Sequence, residues 1–465
     1  MRDGENIKSG QQADGMSAVE RRASISLASI MATRMLGLFM ILPVFALYAE
    51  SLPDASPFLI GMAIGAYGLT QALLQIPFGM ASDRFGRRRM ITLGLLLFAL
   101  GSVVAAMSDT LTGIIIGRAI QGSGAVAAVI MAFTADLTRE SQRTKAMAMI
   151  GMSIGGAFTL ALIAGPLLNN IVGVQGIFWL TAVLALAAIV ILWTQVPHAA
   201  HAHTHRDAQL VPELTGSVLT NTQLLRLDVG ILILHTILTA MFIAVPFVLR
   251  DYLGIDTGLH SWVYLPVLLL SAVAMVPFII IAERKRRMKP VFVSAVAILG
   301  LSTFAMAQWY SNMWAFFVLL WLFFTAFNFL EASLPSLVTK TAPADRKGTA
   351  MGVYSSSQFI GAFIGGSVGG WVYGEAGISG VFVLSALLIG LWWLLALTMR
   401  PPSYLSSLVV AVHGLSQAEA DELAVKLTQV AGVAEAVVIA EEDEAYLKVD
   451  NRVLDRDELS QHIEL

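Results

Sequence analysis

The chain has 465 residues, of which 57% are apolar and only 13% charged, and its mean hydropathy is +0.74. Soluble domains carry about 25% charged residues, so this composition excludes an ordinary soluble protein and indicates a membrane protein with several spans. The absence of cysteine excludes disulfides, thiol chemistry and thiolate metal sites.

The net charge of −3 conceals two regions of opposite sign. Residues 402–465 hold 13 acids and 4 bases, whereas the rest of the chain holds 19 acids and 25 bases. The basic excess is typical of positively charged loops beside a membrane and does not indicate nucleic-acid binding. The acidic tail indicates a separate domain.

Apolar runs long enough to cross a bilayer, about 20 residues each, follow a polar N-terminal segment, 1–24, which has no pattern of a removable signal peptide. Helices are predicted for them, because lipid offers no partner to an unpaired backbone group. The sequence predicts twelve spans: 25–48, 58–81, 90–107, 112–135, 145–168, 175–196, 227–249, 260–282, 291–309, 314–338, 349–373 and 378–398.

Basic residues concentrate in the loops that follow even-numbered spans. They are Arg84, Arg87, Arg88, Arg89, Arg139, Arg143, Lys145, Arg284, Lys285, Arg286, Arg287, Lys289, Lys340, Arg346 and Lys347. The positive-inside rule therefore predicts that both termini lie in the cytoplasm, in a plasma or bacterial inner membrane.

A polar cytoplasmic linker, 197–226, divides the membrane part into two six-helix bundles, 25–196 and 227–400. The linker contains the histidine-rich stretch HAAHAHTH, residues 198–205. Such a stretch can bind a metal ion, but it offers no fixed geometry and no carboxylate. We therefore favour a solvated linker, and we predict neither a metal site nor a cofactor.

The C-terminal segment, 404–465, changes from long apolar runs to short alternating ones. Strands are predicted over 408–412, 436–440 and 445–449, and helices over 417–430 and 455–463. This βαββα order predicts a small α+β ferredoxin-like domain in the cytoplasm. It resembles heavy-metal-associated domains but lacks their paired cysteines, so we expect it to regulate the core, to self-associate or to bind an unidentified ligand.

Two motifs and an internal repeat carry a family resemblance. The second half repeats the first at an offset of 200 residues, which places Asp83 on Glu283 and Arg87 on Arg287. The stretches GMASDRFGRRR (79–89) and GRAIQGSGAVAA (117–128) resemble signatures of the major facilitator superfamily, and LGLFMILPVF (36–45) is similar to its drug and proton antiporters. The resemblance implies an all-α core of twelve helices in two halves, with a substrate site between them.

The same resemblance includes a narrower feature and one departure. A twelve-span core followed by a ferredoxin-like domain is similar to a bacterial subgroup of efflux transporters within the superfamily. The antiporters of the superfamily end their span 5 motif with G-P-x-x-G-G, whereas Gly165 and Pro166 are followed here by LLNN, 167–170. Membership is therefore better supported than antiport.

The loop between spans 2 and 3 is predicted to be a conformational latch. Its members are Gly79, Asp83, Arg84, Gly86, Arg87 and Asp136. The resemblance implies that Asp83 faces the positive start of span 11 and that Arg87 meets Asp136, so that the halves are joined in one state only. The alternative is a simple topology anchor, in which the arginines contact lipid phosphates.

Four ionisable residues lie deep within spans, where each is costly unless it faces protein or water. They are Arg34, Arg118, His235 and Glu331. The similar depth of His235 and Glu331 predicts a pair that shares and releases a proton; a static pair that joins spans 7 and 10 is the alternative. With Gln71, Gln121, Asn328 and Gln358, the two arginines are predicted to line the central cavity.

The sequence contains no phosphate loop G-x-x-x-x-G-K-[ST] and no H-E-x-x-H, so it does not support an ATP-driven pump or a zinc hydrolase of that kind. An enzyme is the weakest interpretation. The main hypothesis is a proton-coupled antiporter that exports small amphipathic, drug-like compounds, with the small molecule, protons and lipid as partners. A proton symporter and a sensor that signals through the C-terminal domain remain alternatives.

Overall fold

This computed structural model describes residues 15–197, 212–343, 345–402, 405–412, 414–440, 443–450 and 452–462. Ten helices within these residues are long and apolar enough to cross a membrane. Two of them, Lys145–Thr194 and Lys347–Leu397, each contain two predicted spans. The spans are separated where the backbone leaves helical geometry, at Gly173 (φ 68°) and Gly377 (φ 65°). A positive φ of this kind favours glycine. The prediction of twelve spans in two halves is confirmed.

The first half consists of α1 (Ala18–Phe39), α2 (Leu42–Ala49), α3 (Pro57–Phe85), α4 (Arg87–Ala106), α5 (Leu111–Ser123), α6 (Ala127–Asp136) and α7 (Glu140–Thr194). The second consists of α8 (Pro212–Leu219), α9 (Thr222–Phe247), α10 (His260–Arg284), α11 (Met288–Trp309), α12 (Met313–Thr341) and α13 (Lys347–Leu397). A π-turn over Val248–Tyr252 and a 3-10 turn over Thr257–Leu259 join α9 to α10.

Two helix starts precede the predicted ones because capping residues, not hydropathy, set them. The first helix begins at Ala18 instead of residue 25, since Ser17 and Glu20 form a capping box in which each side chain pairs with the other's backbone N–H. Similarly, α9 begins at Thr222 after the cap Asn221. This start and α8 both lie inside the predicted linker, 197–226.

Glycines bring α13 into direct backbone contact with α3 of the first half and with α9 of its own half. A Cβ atom at Gly61 would lie 2.0 Å from the carbonyl oxygen of Gly366, and one at Gly361 would lie 2.1 Å from that of Leu232. Helix association within lipid depends on such close packing of small residues. The row of glycines on α13 therefore fixes the position of one half against the other.

The halves also meet at the end of the bundle opposite the C-terminal domain, which we call the far end. There Arg250 Nη1 donates to Glu50 Oε2 over 2.8 Å, and Ser261 Oγ donates to the carbonyl oxygen of Ile163 over 2.8 Å. The opposite end, where α3 and α12 terminate and the C-terminal domain lies, is called the terminal end. The far end is thus closed by polar contacts between the halves.

The C-terminal domain has the predicted βαββα order. Its elements are β1 (Ser406–Ala411), α14 (Gln417–Gln429), β2 (Val433–Ile439), β3 (Glu444–Val449) and α15 (Arg456–His462). The antiparallel sheet has the order β1-β3-β2, with a small apolar core that includes Leu427, Leu447 and Leu459. The prediction of a small ferredoxin-like domain after the membrane core is confirmed.

Candidate functional site

A cluster of three polar side chains lies inside the second half. The amide nitrogen of Gln358 on α13 is 2.8 Å from His235 Nε2 on α9 and 3.3 Å from Glu331 Oε1 on α12. His235 Nδ1 lies 3.9 Å from Glu331 Oε2. The structure thus brings together the predicted pair and adds Gln358 as a bridge between its members.

Packing of α9 against α13 positions the cluster. Thr236 Oγ1, next to His235 in sequence, donates to the carbonyl oxygen of Gly361 over 3.1 Å. A Cβ atom at Gly365 would lie 2.1 Å from the carbonyl oxygen of Thr236. Because the backbones touch, the short amide side chain of Gln358 reaches both the imidazole and the carboxylate.

The hydrogen bonds of the cluster leave two facing atoms without a partner. When the Gln358 amide donates to His235 Nε2, the neutral imidazole carries its proton on Nδ1, which faces the carboxylate. Neither His235 Nδ1 nor Glu331 Oε2 has a hydrogen-bond partner within the part of the chain that the structure describes. The His235 side chain is 12% exposed and that of Glu331 35% exposed, whereas Glu331 Oε2, the oxygen that faces His235, is buried.

Aromatic rings connect this cluster to the first half. The His235 ring lies 6.3 Å from that of Phe327, which stacks on Phe158 at 6.2 Å. Phe158 in turn meets Phe39 edge-on at 5.0 Å. The wall beside the cluster on the side of the first half is therefore apolar, as is typical of sites for amphipathic molecules.

Arg34 and its partners form a separate network inside the first half. Arg34 Nη2 donates to Tyr67 Oη (2.5 Å), to Gln71 Oε1 (2.6 Å) and to the carbonyl oxygen of Gly124 (3.2 Å). The residue is 0% exposed. Neutral oxygen atoms accept from Nη2, whereas Nε and Nη1 are buried without a hydrogen-bond partner among the described residues. No described ion pair joins Arg34 to Glu331.

Arg118 is similarly enclosed. Its Nη1 donates to Gln121 Oε1 over 2.8 Å, and Gln121 Nε2 donates to Ser102 Oγ over 2.6 Å. On the other side of the molecule, Asn328 Nδ2 donates to Ser271 Oγ over 3.0 Å, within the second half. The structure therefore brings Gln358 to the carboxylate, while the other predicted cavity residues form hydrogen bonds within their own halves.

The predicted latch residues lie at the terminal end. Arg87 Nε donates to Asp136 Oδ2 over 2.9 Å, Arg87 Nη1 donates to Ser82 Oγ over 2.6 Å, and Arg87 also pairs with Asp83. Gly86 ends α3 with a φ of 94°, which allows the sharp turn into α4. Arg84 instead lies over the ring of Phe85.

The implied contact of Asp83 with the start of α13 is not among the described contacts. The ion pair that the structure describes for Asp83 is with Arg87, in its own half, and its side chain is 35% exposed. Among the described hydrogen bonds between α3 and α13, the one nearest the terminal end runs from Ser356 Oγ to the carbonyl oxygen of Ala72, at 3.4 Å. Asp83 is therefore exposed at the terminal end, while polar contacts between the halves close the far end.

Two further residues near the cluster are absent from the predicted set. Asp228 on α9 is 4% exposed and Tyr354 on α13 is 3% exposed. Asp228 is the second residue of the predicted span 227–249 and so does not count as deep, whereas the helix begins at Thr222 and places it in the second turn. Tyr354 carries no signal in the sequence beyond its position one helical turn before Gln358.

The structure describes no group of three or more His, Cys, Asp or Glu residues that would hold a metal ion. The histidine-rich stretch, 198–205, lies outside the described residues.

A twelve-span core of two similar halves, with buried ionisable groups on the helices that face each other, defines a secondary transporter. The chain belongs to the Major Facilitator Superfamily, whose model matches residues 27–366 and 227–417. A second model, the YajR YAM domain, matches residues 414–464. Together the two matches cover the membrane core and the C-terminal domain.

Relatives and solved structures agree with this assignment. The inner membrane transport protein YajR of Escherichia coli (strain K12) is 45% identical over 448 residues, which cover 96% of this chain and 98% of that protein. The bacillibactin exporter of Bacillus subtilis (strain 168) is 27% identical over 381 residues, or 78% of this chain and 92% of that protein. These relatives are transporters and not enzymes.

Among solved structures, a D-xylose-proton symporter has a TM-score of 0.66 at 17% identity, covering 82% of this chain and 98% of its own. A bacterial homologue of the human lysosomal transporter Spinster, in an inward-facing and occupied conformation, has a TM-score of 0.67 at 12% identity, covering 82% and 97%. At these identities the likeness shows the fold alone.

Proposed function

We propose that this protein is a proton-coupled antiporter that exports small amphipathic compounds across the bacterial inner membrane by alternating access. The observation that carries the proposal is the cluster of His235, Glu331 and Gln358, in which a buried carboxylate oxygen and an imidazole nitrogen face each other, and neither has a described hydrogen-bond partner. A carboxylate inside a membrane is rare and usually functional. The terminal end is the cytoplasmic end in this proposal, so both termini are cytoplasmic.

In the proposed cycle, one proton and the transported compound compete for Glu331. The ionised carboxylate attracts the His235 Nδ1–H and any cationic group of the compound, whereas protonation removes that attraction. The apolar wall formed by Phe327, Phe158 and Phe39 would hold the rest of the compound. Mutual exclusion at one carboxylate couples the two movements in opposite directions.

The direction of transport draws support from one relative, which is named as an exporter. The departure from the antiporter motif at residues 167–170 leaves proton symport as the direct alternative. A sensor is favoured by a different observation, the contact of the C-terminal domain with the end of α12, the helix that carries Glu331.

The test uses the purified full chain in sealed vesicles of controlled orientation, with a lumenal pH indicator and a cationic, a neutral and an anionic dye. We expect a dye to move against its gradient while protons move the opposite way, and Glu331→Gln to abolish both movements. Glu375→Gln, at an exposed acid near the far end, is the matched control. Movement of protons and dye in the same direction would establish symport, and dye binding without movement would favour the sensor.

A further inference from the structure

Asp228 is a buried carboxylate that the His235–Glu331–Gln358 cluster does not include. It lies in α9 with 4% of the residue exposed, and its Oδ2 has no hydrogen-bond partner among the described residues. An ionised carboxylate in such a place is expensive, and a salt bridge or a metal would be its usual compensation. Neither is described here, so the carboxyl group needs another reason to be present.

The geometry of two helices places Asp228 in line with the cluster. Asp228 precedes His235 by seven residues on α9, which is close to two helical turns, so both lie on one face. Tyr354 precedes Gln358 by four residues on α13, again on one face. The backbones of α9 and α13 touch where Gly361 meets Leu232, so the two rows of polar residues lie along one helix interface.

Tyr354 lies one helical turn before Gln358, whose amide donates to Glu331 Oε1. Tyr354 is 3% exposed, and its hydroxyl has no hydrogen-bond partner within the described part of the chain. A hydroxyl that both donates and accepts is the group that passes a proton between two carboxyl groups.

Depth along the helices shows where Asp228 and Tyr354 lie relative to the His235–Glu331–Gln358 cluster. With a rise of about 1.5 Å per residue, Asp228 lies about 9 Å from the start of α9 and Tyr354 about 10 Å from the start of α13. His235 lies about 20 Å from the start of α9 by the same measure. Asp228 and Tyr354 are therefore between the cluster and the terminal end.

We propose that Tyr354 and Asp228 form a proton relay between Glu331 and the terminal end of the membrane. When Glu331 releases its proton toward the terminal end, its carboxylic acid gives the proton to the Tyr354 hydroxyl. The hydroxyl gives its own proton to the Asp228 carboxylate, and water completes the chain. Glu331 ends ionised and Asp228 ends protonated, and Asp228 then releases the proton to water at the terminal end. Charge and protons balance, and the reverse sequence reloads Glu331.

This relay rests on the proposed function, because it serves the protonation of Glu331. The titratable groups of the cluster that the relay serves are Glu331 on α12 and His235 on α9. The relay differs from the coupling cluster in what it controls: it sets how fast a proton reaches Glu331, not whether Glu331 binds one.

The test needs no transported compound. Rapid infrared spectroscopy of the full chain in lipid vesicles after a pH jump would follow the carboxylic acid band of Glu331, identified by its loss in Glu331→Gln. We expect Asp228→Asn and Tyr354→Phe to slow the appearance of this band by about tenfold or more with unchanged amplitude. The double variant should be no slower than the slower single variant, since both residues act in one chain.

Two further variants separate a relay from a structural effect. Asp228→Glu keeps a carboxyl group and should keep a rate near that of the wild type. Tyr264→Phe removes another buried tyrosine hydroxyl that has no described partner, but on α10, and should leave the rate unchanged. If Asp228→Asn does not fold, Tyr354→Phe tests the same chain of transfers.

An unchanged rate in Asp228→Asn and Tyr354→Phe, with the Glu331 band present, would overturn the relay and leave the proposed function standing. The proposed function fails in a different way: no band of Glu331 would then change between about pH 5 and 9 in the wild type. That result would remove the relay as well, because it would have no proton to carry.

Discussion

Lys448 of the C-terminal domain donates a hydrogen bond to the carbonyl oxygen of Ala342, the residue that ends α12. The same ammonium group reaches the carbonyl oxygen of Lys340 at 3.3 Å and pairs with Glu435 at 3.4 Å. A positive charge at a helix C-terminus satisfies free carbonyl groups and opposes the negative end of the helix dipole. The C-terminal domain is thus attached to the helix that carries Glu331.

A second contact supports this attachment. Arg286, in the loop between α10 and α11, lies 3.7 Å from Asp450 of the domain. Lys340 also pairs with Glu283 at the end of α10, at 2.7 Å. The domain therefore contacts a group of charged residues that joins α10 and α12 of the second half. Displacement of either helix would change these contacts.

We predict that Lys448→Ala releases the domain from the membrane core. Hydrogen bonds to a charged group contribute about 1.5–3 kcal/mol, so the ratio of attached to released domain should fall about tenfold or more. Because the chain has no cysteine, spin labels can be placed at Val453→Cys and Leu397→Cys, both exposed positions. The distance distribution between them should broaden in Lys448→Ala.

The control for this change is Lys426→Ala, which removes an exposed lysine paired with Glu422 on α14. Its distance distribution should match that of the parent protein. A narrow, unshifted distribution in Lys448→Ala would show that the contact with the end of α12 does not hold the domain.

The ion pair of Arg87 and Asp136 should contribute strongly to the stability of the first half. Both side chains are nearly buried, at 10% and 9% exposed. Removing one partner leaves an uncompensated buried charge, which costs about 3–5 kcal/mol. We expect Asp136→Ala and Arg87→Ala each to lower the free energy of unfolding in mixed micelles by about this amount, and the double variant to lose clearly less than the sum.

Arg84→Ala is the matched control, because Arg84 belongs to the same motif but contacts the ring of Phe85 and no described acid. It should change stability by less than about 1 kcal/mol. Equal losses in Arg84→Ala and Arg87→Ala, or additive losses in the double variant, would indicate a general requirement for basic residues at the membrane boundary, as in the anchor hypothesis.

Much of the fold follows from patterns that act locally. Hydropathy alone marks twelve spans, because Asn169 and Asn170, and likewise Glu375, interrupt the apolar runs. The backbone leaves helical geometry close by, at Gly173 and Gly377. The short alternating runs after residue 404 give the order of strands and helices in the C-terminal domain. Both signals depend on the residue's own neighbours in the chain, which a single sequence contains.

The site is less predictable because depth along a helix does not tell which way a side chain points. Arg34 and Glu331 both lie deep within predicted spans, yet Arg34 bonds to Tyr67 inside the first half and Glu331 bonds to Gln358 inside the second. The contact of Lys448 with Ala342 depends on how two domains meet. Asp228 is the second residue of the predicted span 227–249 and therefore does not count as deep, whereas the cap at Asn221 starts the helix five residues earlier.

The loop before α3 offers a test of stability against pH. Asp54 Oδ1 accepts from the backbone N–H of Leu111 over 2.8 Å, and Oδ2 accepts from that of Thr112 over 3.2 Å. These are free N–H groups in the first turn of α5, so the carboxylate acts as a cap supplied by a distant loop. The hydrogen bonds with Leu111 hold the pKa of Asp54 below its usual value.

A carboxyl group whose pKa is lowered by folding stabilises the folded state above its unfolded pKa, and this contribution disappears as the pH falls through the folded pKa. Asp54→Asn should therefore lower the thermal midpoint by a constant amount at neutral pH, and the difference from the parent protein should shrink below about pH 4. Glu375→Gln, at an exposed acid without a described ion pair, should show no such trend. A difference that persists unchanged to low pH would mean that the Asp54 carboxylate charge does not hold α5 to this loop.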